Sequence, residues 1–307
     1  MDKRQEDVMS IVVVGSVGLD SIETPSGRAD EVLGGSAAYF AVAASYFTTV
    51  NVVAVIGEDF PSDAQATLTA PNINLDGLEV GAGRTFRWTG RYHENLNIRD
   101  TLDLQMNVVA DFAPKLPEQY RHTPFVFLGN IDPGLQSQVL DQTDGARLIG
   151  CDTISHWIEH ERAALEAVLK RVDVLIINDE EAGMLSGESN VVKSARRILD
   201  MGPKTLLVKR GEYGVLLFSP QSVFAVPAYP LEDVVDPTGA GDSFAGGFLG
   251  YLAESNDTSE AGLRKAIVYG SVVASFTVED FSLRRLHALS RDSIEQRYRQ
   301  FVSLTEF

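Results

Sequence analysis

Short apolar runs rich in β-branched residues recur along the chain, each closed by Gly or a polar turn. They are Ile11–Val14, Val52–Ile56, Phe125–Leu128, Val174–Ile177, Leu206–Val208 and Val215–Phe218. Runs without polar alternation predict strands buried on both faces, as in a parallel sheet covered by helices. Helical stretches lie between them. Ser36–Phe47 is small and apolar, which predicts a buried helix. Ile158–Val172 is amphipathic and acidic, and Val191–Met201 follows a capping pair, Ser189-Asn190. Strand alternating with helix predicts a doubly wound α/β fold. No fixed repeat and no Pro- or Ser-rich linker divides the pattern, so residues 1–307 read as a single domain.

Three segments follow a different period. Ser21–Leu33 reads as extended, a turn at Pro25-Ser26-Gly27, then extended. Thr85–Tyr92 sets Phe86 and Trp88 against Arg87 and Thr89, and Leu102–Val108 sets Leu102, Leu104 and Met106 against Asp103, Gln105 and Asn107. A period of two means strands with one solvated face. They predict a small antiparallel flap built from two insertions, about 20–34 and 84–110. The insertions follow the first two core strands, where ligands of open α/β sheets collect, so the flap is expected to be a lid.

Charge narrows the ligand class. Lys and Arg number 26 against 43 Asp and Glu, a net charge of −17. Such a surface disfavours nucleic acid and anionic membranes as partners. A phosphate-bearing ligand must then be held locally, by backbone amides, a helix start, a metal or a few cations. The single Cys151 excludes an internal disulfide and a cysteine-rich zinc site. The start, MDKRQEDVMS, is charged, and the longest apolar runs are five or six residues, so a cytoplasmic location is expected.

The sharpest chemistry lies in Asp236-Pro237-Thr238-Gly239-Ala240-Gly241-Asp242-Ser243-Phe244, which leads into an apolar helix. Gly239, Ala240 and Gly241 let the backbone approach a ligand with its N–H groups outward, and the helix start adds partial positive charge. Asp242 places a carboxylate beside this anion site. That suits a base which takes a proton from a hydroxyl while adjacent amides stabilise the transferring group. A plain helix cap is the alternative role for Asp242. The helix-start amides are expected to lower its pKa. Neither G-x-x-x-x-G-K-[ST] nor G-x-G-x-x-G occurs, which argues against a P-loop protein and a Rossmann dehydrogenase.

The stretch D-P-T-G-A-G-D-S-F resembles the signature of the ribokinase-like (PfkB-type) carbohydrate kinase family. Other elements resemble that family in its order: Gly15–Asp20, Leu33–Ala41 with Gly34-Gly35, Asn178-Asp179-Glu180-Glu181, and Val208–Gly214. The resemblance spans residues 11 to about 280. It implies a three-layer sandwich with a mainly parallel central sheet and a small β lid. It also implies an ATP- and Mg²⁺-dependent kinase that transfers the γ-phosphoryl group to a hydroxymethyl group of a sugar. Asp242 would be the base, with Gly239, Ala240 and Gly241 as the anion hole. Asp20, Gly34, Gly35 and Tyr39 would meet the substrate, and Lys209, Gly211, Gly214 and Ser271 the nucleotide. Asn178 and Glu181 would position Mg²⁺, mostly through water.

The chain departs from the family pattern in places. Tyr39 stands where many family sugar kinases carry Asn, and it could stack on a sugar or base or fill the core. Phe276–Phe281 lacks the usual Gly-rich loop, which argues against K⁺ activation, although Asp236 stands at one family ligand position. Arg84, Arg87, Arg91 and Arg99 in the flap either meet a substrate phosphate or pair with surface acids. Phe86 and Trp88 either cover the substrate or join a lid–lid homodimer contact. Alternatives are a nucleoside kinase of the same fold, with aromatic residues stacking a base, a catalytically silent binding protein, and a zinc peptidase. The last rests on His156-Trp157-Ile158-Glu159-His160, which fits H-x-x-E-H.

Overall fold

A computed structural model describes residues 9–306. The charged start, residues 1–8, lies outside the described residues. The chain opens with β1 (Ser10–Val14), then a hairpin of β2 (Gly18–Thr24) and β3 (Gly27–Gly34) leading into α1 (Ser36–Ala44). Next come β4 (Thr49–Gly57), α2 (Ser62–Leu68) and β5 (Ile73–Gly81), then a second hairpin of β6 (Phe86–Tyr92) and β7 (Arg99–Gln105). The middle of the chain alternates β8 (Phe125–Leu128), α3 (Pro133–Gln142), β9 (Leu148–Asp152), α4 (Ser155–His160), α5 (Arg162–Leu169), β10 (Val174–Asn178), α6 (Asp179–Ser186) and α7 (Val191–Leu199). β11 (Thr205–Lys209), β12 (Val215–Phe218) and β13 (Val223–Val226) complete the strands. Four helices follow: α8 (Ala240–Ser255), α9 (Glu260–Thr277), α10 (Arg284–His287) and α11 (Arg291–Thr305).

The main sheet has nine strands in the order β13-β12-β11-β10-β9-β8-β1-β4-β5, parallel from β5 to β11 and antiparallel at the last two pairings. Each inner strand feeds two cores. Ile11 and Val13 of β1 join α1, α8 and α9 on one face, while Val12 and Val14 join the α3, α5, α6 and α7 side. That is why these runs lack polar alternation. No helix among the described residues is long and apolar enough to cross a membrane.

Three expectations need correction. The amphipathic stretch 158–172 is not one helix, because the backbone breaks at Glu161 between α4 and α5. β5 gave no apolar-run signal. It is an edge strand that carries half-buried Asn74 and exposed Asp76 and Glu79 among its apolar residues, so its polarity hid it. The second insertion therefore follows three core strands, not two. The lid sheet, ordered β3-β2-β6-β7, is also not wholly antiparallel: each hairpin is, but the seam joining them, β2 with β6, is parallel. A parallel seam is what allows two hairpins from separate insertions to form one sheet.

Helices α1 and α8 fix the site from the core side. Every residue of α1 is buried. A Cβ on Gly246 of α8 would lie 2.5 Å from the Phe40 carbonyl oxygen, so the two helices touch backbone to backbone. Their starts, at Gly35 and Gly239, are thereby held beside each other.

Candidate active site

Gly239 caps α8 at φ +74°, a left-handed conformation that a side chain would strain. A Cβ there would also overlap the Tyr39 ring, so the anion-hole loop rests directly on that aromatic face. Tyr39 is 1% exposed, which removes the stacking role considered for its ring. Its hydroxyl is buried as well and has no hydrogen-bond partner among the described residues. Burial and the nearby Asp20, Asp236 and Asp242 push that phenol well above its ordinary range.

The loop before α8 is pinned by Asp236. One of its oxygens accepts from Thr238 N at 2.9 Å and the other from Ser282 N at 3.3 Å. The lid holds the same loop from above. Thr24 Oγ1 donates to the Val235 carbonyl at 2.8 Å. Asn97 Nδ2, beyond the end of β6, donates to Glu212 Oε2 at 2.8 Å across the nucleotide-side turn.

Acidic side chains converge under this lid. Asp20 enters from β2, and a Cβ on Gly34 would overlap its carboxylate, so the di-glycine turn is the floor on which Asp20 lies. Burial, then the charges of Asp236 and Asp242, raise Asp20 to about 7. Asp242 begins α8, where helix-start amides were expected to lower its pKa. The direction is reversed: burial raises it, against the pull of Lys209 and Arg99. The cleft takes water away from this carboxyl faster than the helix start repays it.

Asn178 and Glu181 form a reciprocal cap on α6. Glu181 N donates to Asn178 Oδ1 at 2.7 Å, and Asn178 N donates to Glu181 Oε2 at 2.8 Å. The Asn178 side-chain oxygen and one Glu181 oxygen are thus committed to the helix. Asp152, at the end of β9, was missed as a site residue. It is buried with one oxygen unpartnered, and burial together with Asp242 pushes it well above its ordinary range. Its signal was available, an acid closing an otherwise apolar strand at the sheet end where ligands bind.

The four nucleotide candidates open into one cleft of about 720 Å³, together with Ala240 and Gly241. A Cβ on Gly241 would lie 2.6 Å from Lys209 Nζ, so the ammonium stands over the start of α8. Ser271 contributes a buried hydroxyl without a partner, and Phe244, Ala274 and Val278 give the cleft apolar walls. Gly211 and Gly214, at φ +53° and +87°, shape the turn at its mouth.

The sequence profile described as pfkB family carbohydrate kinase matches residues 9–287. The chain belongs to this family. The pfkB chain is 30% identical to the cytidine kinase of Thermococcus kodakarensis over 267 residues, covering 84% of this chain and 95% of that one. Among solved structures, the nucleoside kinase of Burkholderia thailandensis in complex with inosine superposes with a TM-score of 0.78 at 19% identity, covering 95% of this chain and 99% of that one. A protein of ribokinase II type from Escherichia coli, in complex with ATP and Mg²⁺, gives 0.75 at 19% identity, with coverage of 97% and 100%. At these identities the two structures show the shared fold. This pfkB protein is a small-molecule kinase, a phosphotransferase acting on a hydroxyl acceptor. The H-x-x-E-H stretch is accounted for by packing on α4: the His156 and His160 rings stack at 4.5 Å, and His160 Nδ1 lies 2.9 Å from the His156 carbonyl oxygen. Among the described residues, no three His, Cys, Asp or Glu side chains are grouped to hold a metal.

Proposed function

We propose that the acceptor is a ribonucleoside, phosphorylated on its hydroxymethyl group, with ATP as donor. Similarity to the cytidine kinase over nearly its whole length carries this reading. The site chemistry supports it. Ionised, Asp20 accepts two O–H bonds, which suits the adjacent hydroxyls of a ribose.

The residues present fit a nucleoside triphosphate with a divalent ion. Lys209 and the amides of Gly239 and Gly241 suit phosphate, the Ala240 amide donating to the Pro237 carbonyl at 3.2 Å, while Ser271 offers its buried hydroxyl to the nucleotide. Glu181 and Asp152 suit a Mg²⁺ held largely through water, which when bound neutralises phosphate charge. Asp242 takes the acceptor proton. The acceptor oxygen forms a bond to the γ-phosphorus, the bond from that phosphorus to the β,γ-bridging oxygen breaks, and ADP leaves with the electron pair. Asp20 aligns the acceptor, and the lid excludes water that would otherwise compete as acceptor.

The test is a panel of nucleosides, free sugars and sugar phosphates with MgATP, scored by ADP release. Cytidine and related nucleosides are expected to give the highest kcat/KM. Turnover of free sugars alone would replace the nucleoside by a sugar acceptor. The edge strand β7, with Leu102 and Leu104 half exposed, supports a homodimer through the lids.

A further inference from the structure

The four lid arginines divide three to one. Arg84 lies 3.6 Å from Asp59, Arg87 lies 2.9 Å from both Glu31 and Asp59, and Arg91 lies 3.1 Å from Glu23. These pairs explain three of the positive charges as lid structure. Arg99 forms no ion pair among the described residues, although the protein is strongly acidic. Its position is nevertheless fixed. It opens β7 directly opposite Tyr92 of β6, and its guanidinium carbon lies 5.5 Å from the centre of the Trp88 ring. The Tyr92 hydroxyl in turn accepts from Thr238, the residue before the anion hole, at 3.1 Å.

From this place the Arg99 charge favours the ionised forms of Asp20 of the lid and Asp242 of α8. Asp20 stands opposite Trp88 in the seam of β2 and β6, and Tyr92 is hydrogen-bonded to Thr238, so a guanidinium over Trp88 and opposite Tyr92 stands at the gap between Asp20 and the loop before α8. That gap separates the acceptor carboxylate from the anion hole, and the migrating group must cross it. Charge balance makes the same demand. Lys209 is the one cation among the described residues lining the nucleotide cleft, and beside a divalent ion a triphosphate still brings negative charge to a site that Asp20, Asp152, Glu181 and Asp242 already make acidic. Stacking on Trp88 keeps the guanidinium ordered without neutralising it.

We propose that Arg99 is a catalytic residue, a lid-borne cation that contacts the oxygens of the migrating phosphoryl group and neutralises charge as the P–O bond to ADP breaks and the new bond to the acceptor forms. Arg99 itself neither gains nor loses a proton in the step. The role rests on the kinase chemistry above and not on which acceptor is used.

Arg99→Met, Arg99→Lys and, as a lid control, Arg91→Met test it by two measurements. Turnover of Arg99→Met on the best acceptor of the panel is expected to fall at least about 10²-fold, with Arg99→Lys between and Arg91→Met unchanged. The second measurement is calorimetric binding of MgADP with acceptor, without and with aluminium fluoride, a mimic of the migrating group. Arg99→Met is expected to bind MgADP as the native protein does but to lose the tightening that fluoride brings. Native-like turnover, or native-like fluoride tightening, would overturn the role. Arg99 is exposed, so melting temperatures should match the native protein; if Met lowers them, Arg99→Lys, which keeps the charge, decides. A native protein that uses sugars and not nucleosides refutes the acceptor reading while leaving this comparison intact.

Discussion

Thr238 donates a hydrogen bond from Oγ1 to the Tyr92 hydroxyl at 3.1 Å, which ties the lid to the residue that precedes the anion hole. Both groups are buried. Tyr92→Phe leaves the Thr238 hydroxyl without its partner, a loss of about 1–3 kcal/mol. The amides of β6 and β7 should then exchange hydrogen faster than in the native protein. Unchanged exchange would show that the remaining bonds, among them Thr24–Val235, Ser282–Leu33 and Asn97–Glu212, suffice to hold the lid.

Asp242→Asn keeps the shape of the loop but cannot take a proton. Turnover should fall by about 10²–10⁴-fold while MgATP binding, followed by calorimetry, stays near native. The pH profile follows from the raised pKa of Asp242. The base must be ionised, so kcat should fall as pH drops through that raised value, at higher pH than for an ordinary aspartate. Near-native turnover of the variant would remove Asp242 as base.

Much of this arrangement was legible because it is local. Nine consecutive residues carry the proposed anion hole and base, and alternation at Phe86–Thr89 showed lid strands with a wet face. What stayed hidden depends on partners distant in sequence. Nothing near Arg99 shows that, among the described residues, it alone of the four arginines lacks an acid, since the acids of the others lie at Asp59, Glu31 and Glu23. The direction of the Asp242 shift was misjudged for the same reason. The helix start is visible in sequence, whereas the burial that outweighs it comes from a lid and strands assembled from both halves of the chain.

The lid edge predicts association. β7 has a free ladder side, with Leu102 and Leu104 about half exposed at 50% and 53%. Pairing of two lids would cover both. Sedimentation should show a dimer for the native chain and a monomer for Leu104→Lys. A native monomer would leave β7 as a tolerated open edge.

Potassium should not be required. Residues 276–281, expected to lack a cation loop, are clamped by arginines. Arg297 donates to Glu279 Oε1 at 2.6 Å and Ser275 Oγ at 3.0 Å, and its guanidinium lies 3.4 Å from the centre of the Phe276 ring. Arg285 donates to Glu279 Oε2 at 2.7 Å. Both Asp236 oxygens already accept backbone N–H groups, and the Val278 carbonyl accepts from Val235 N at 2.8 Å. These bonds leave the Asp236 and Val278 oxygens fewer lone pairs for a monovalent cation. Exchanging potassium for sodium or choline at constant ionic strength should leave kcat/KM unchanged, and a rate that rises with potassium would overturn this.

Asp20 predicts two opposite pH effects from one cause. Its carboxyl, raised to about 7 by burial and by Asp236 and Asp242, is partly protonated in the free protein at neutral pH. A protonated Asp20 accepts one fewer hydroxyl, so acceptor KM should rise as pH falls below about 7 while kcat at saturation changes less. Stability runs the other way. Between the ordinary aspartate value, 3.8, and about 7 the folded protein holds a proton that the unfolded chain has released. Folding stability from this group is therefore present at low pH and is lost as pH rises through that window. Asp20→Asn removes the buried charge, so it should raise the melting temperature above native at pH 8 and make little difference near pH 4, while abolishing tight acceptor binding at both. A variant melting below native at pH 8 would mean that Asp20 is held ionised by its surroundings at no cost, and the pH dependence of KM would then be absent as well.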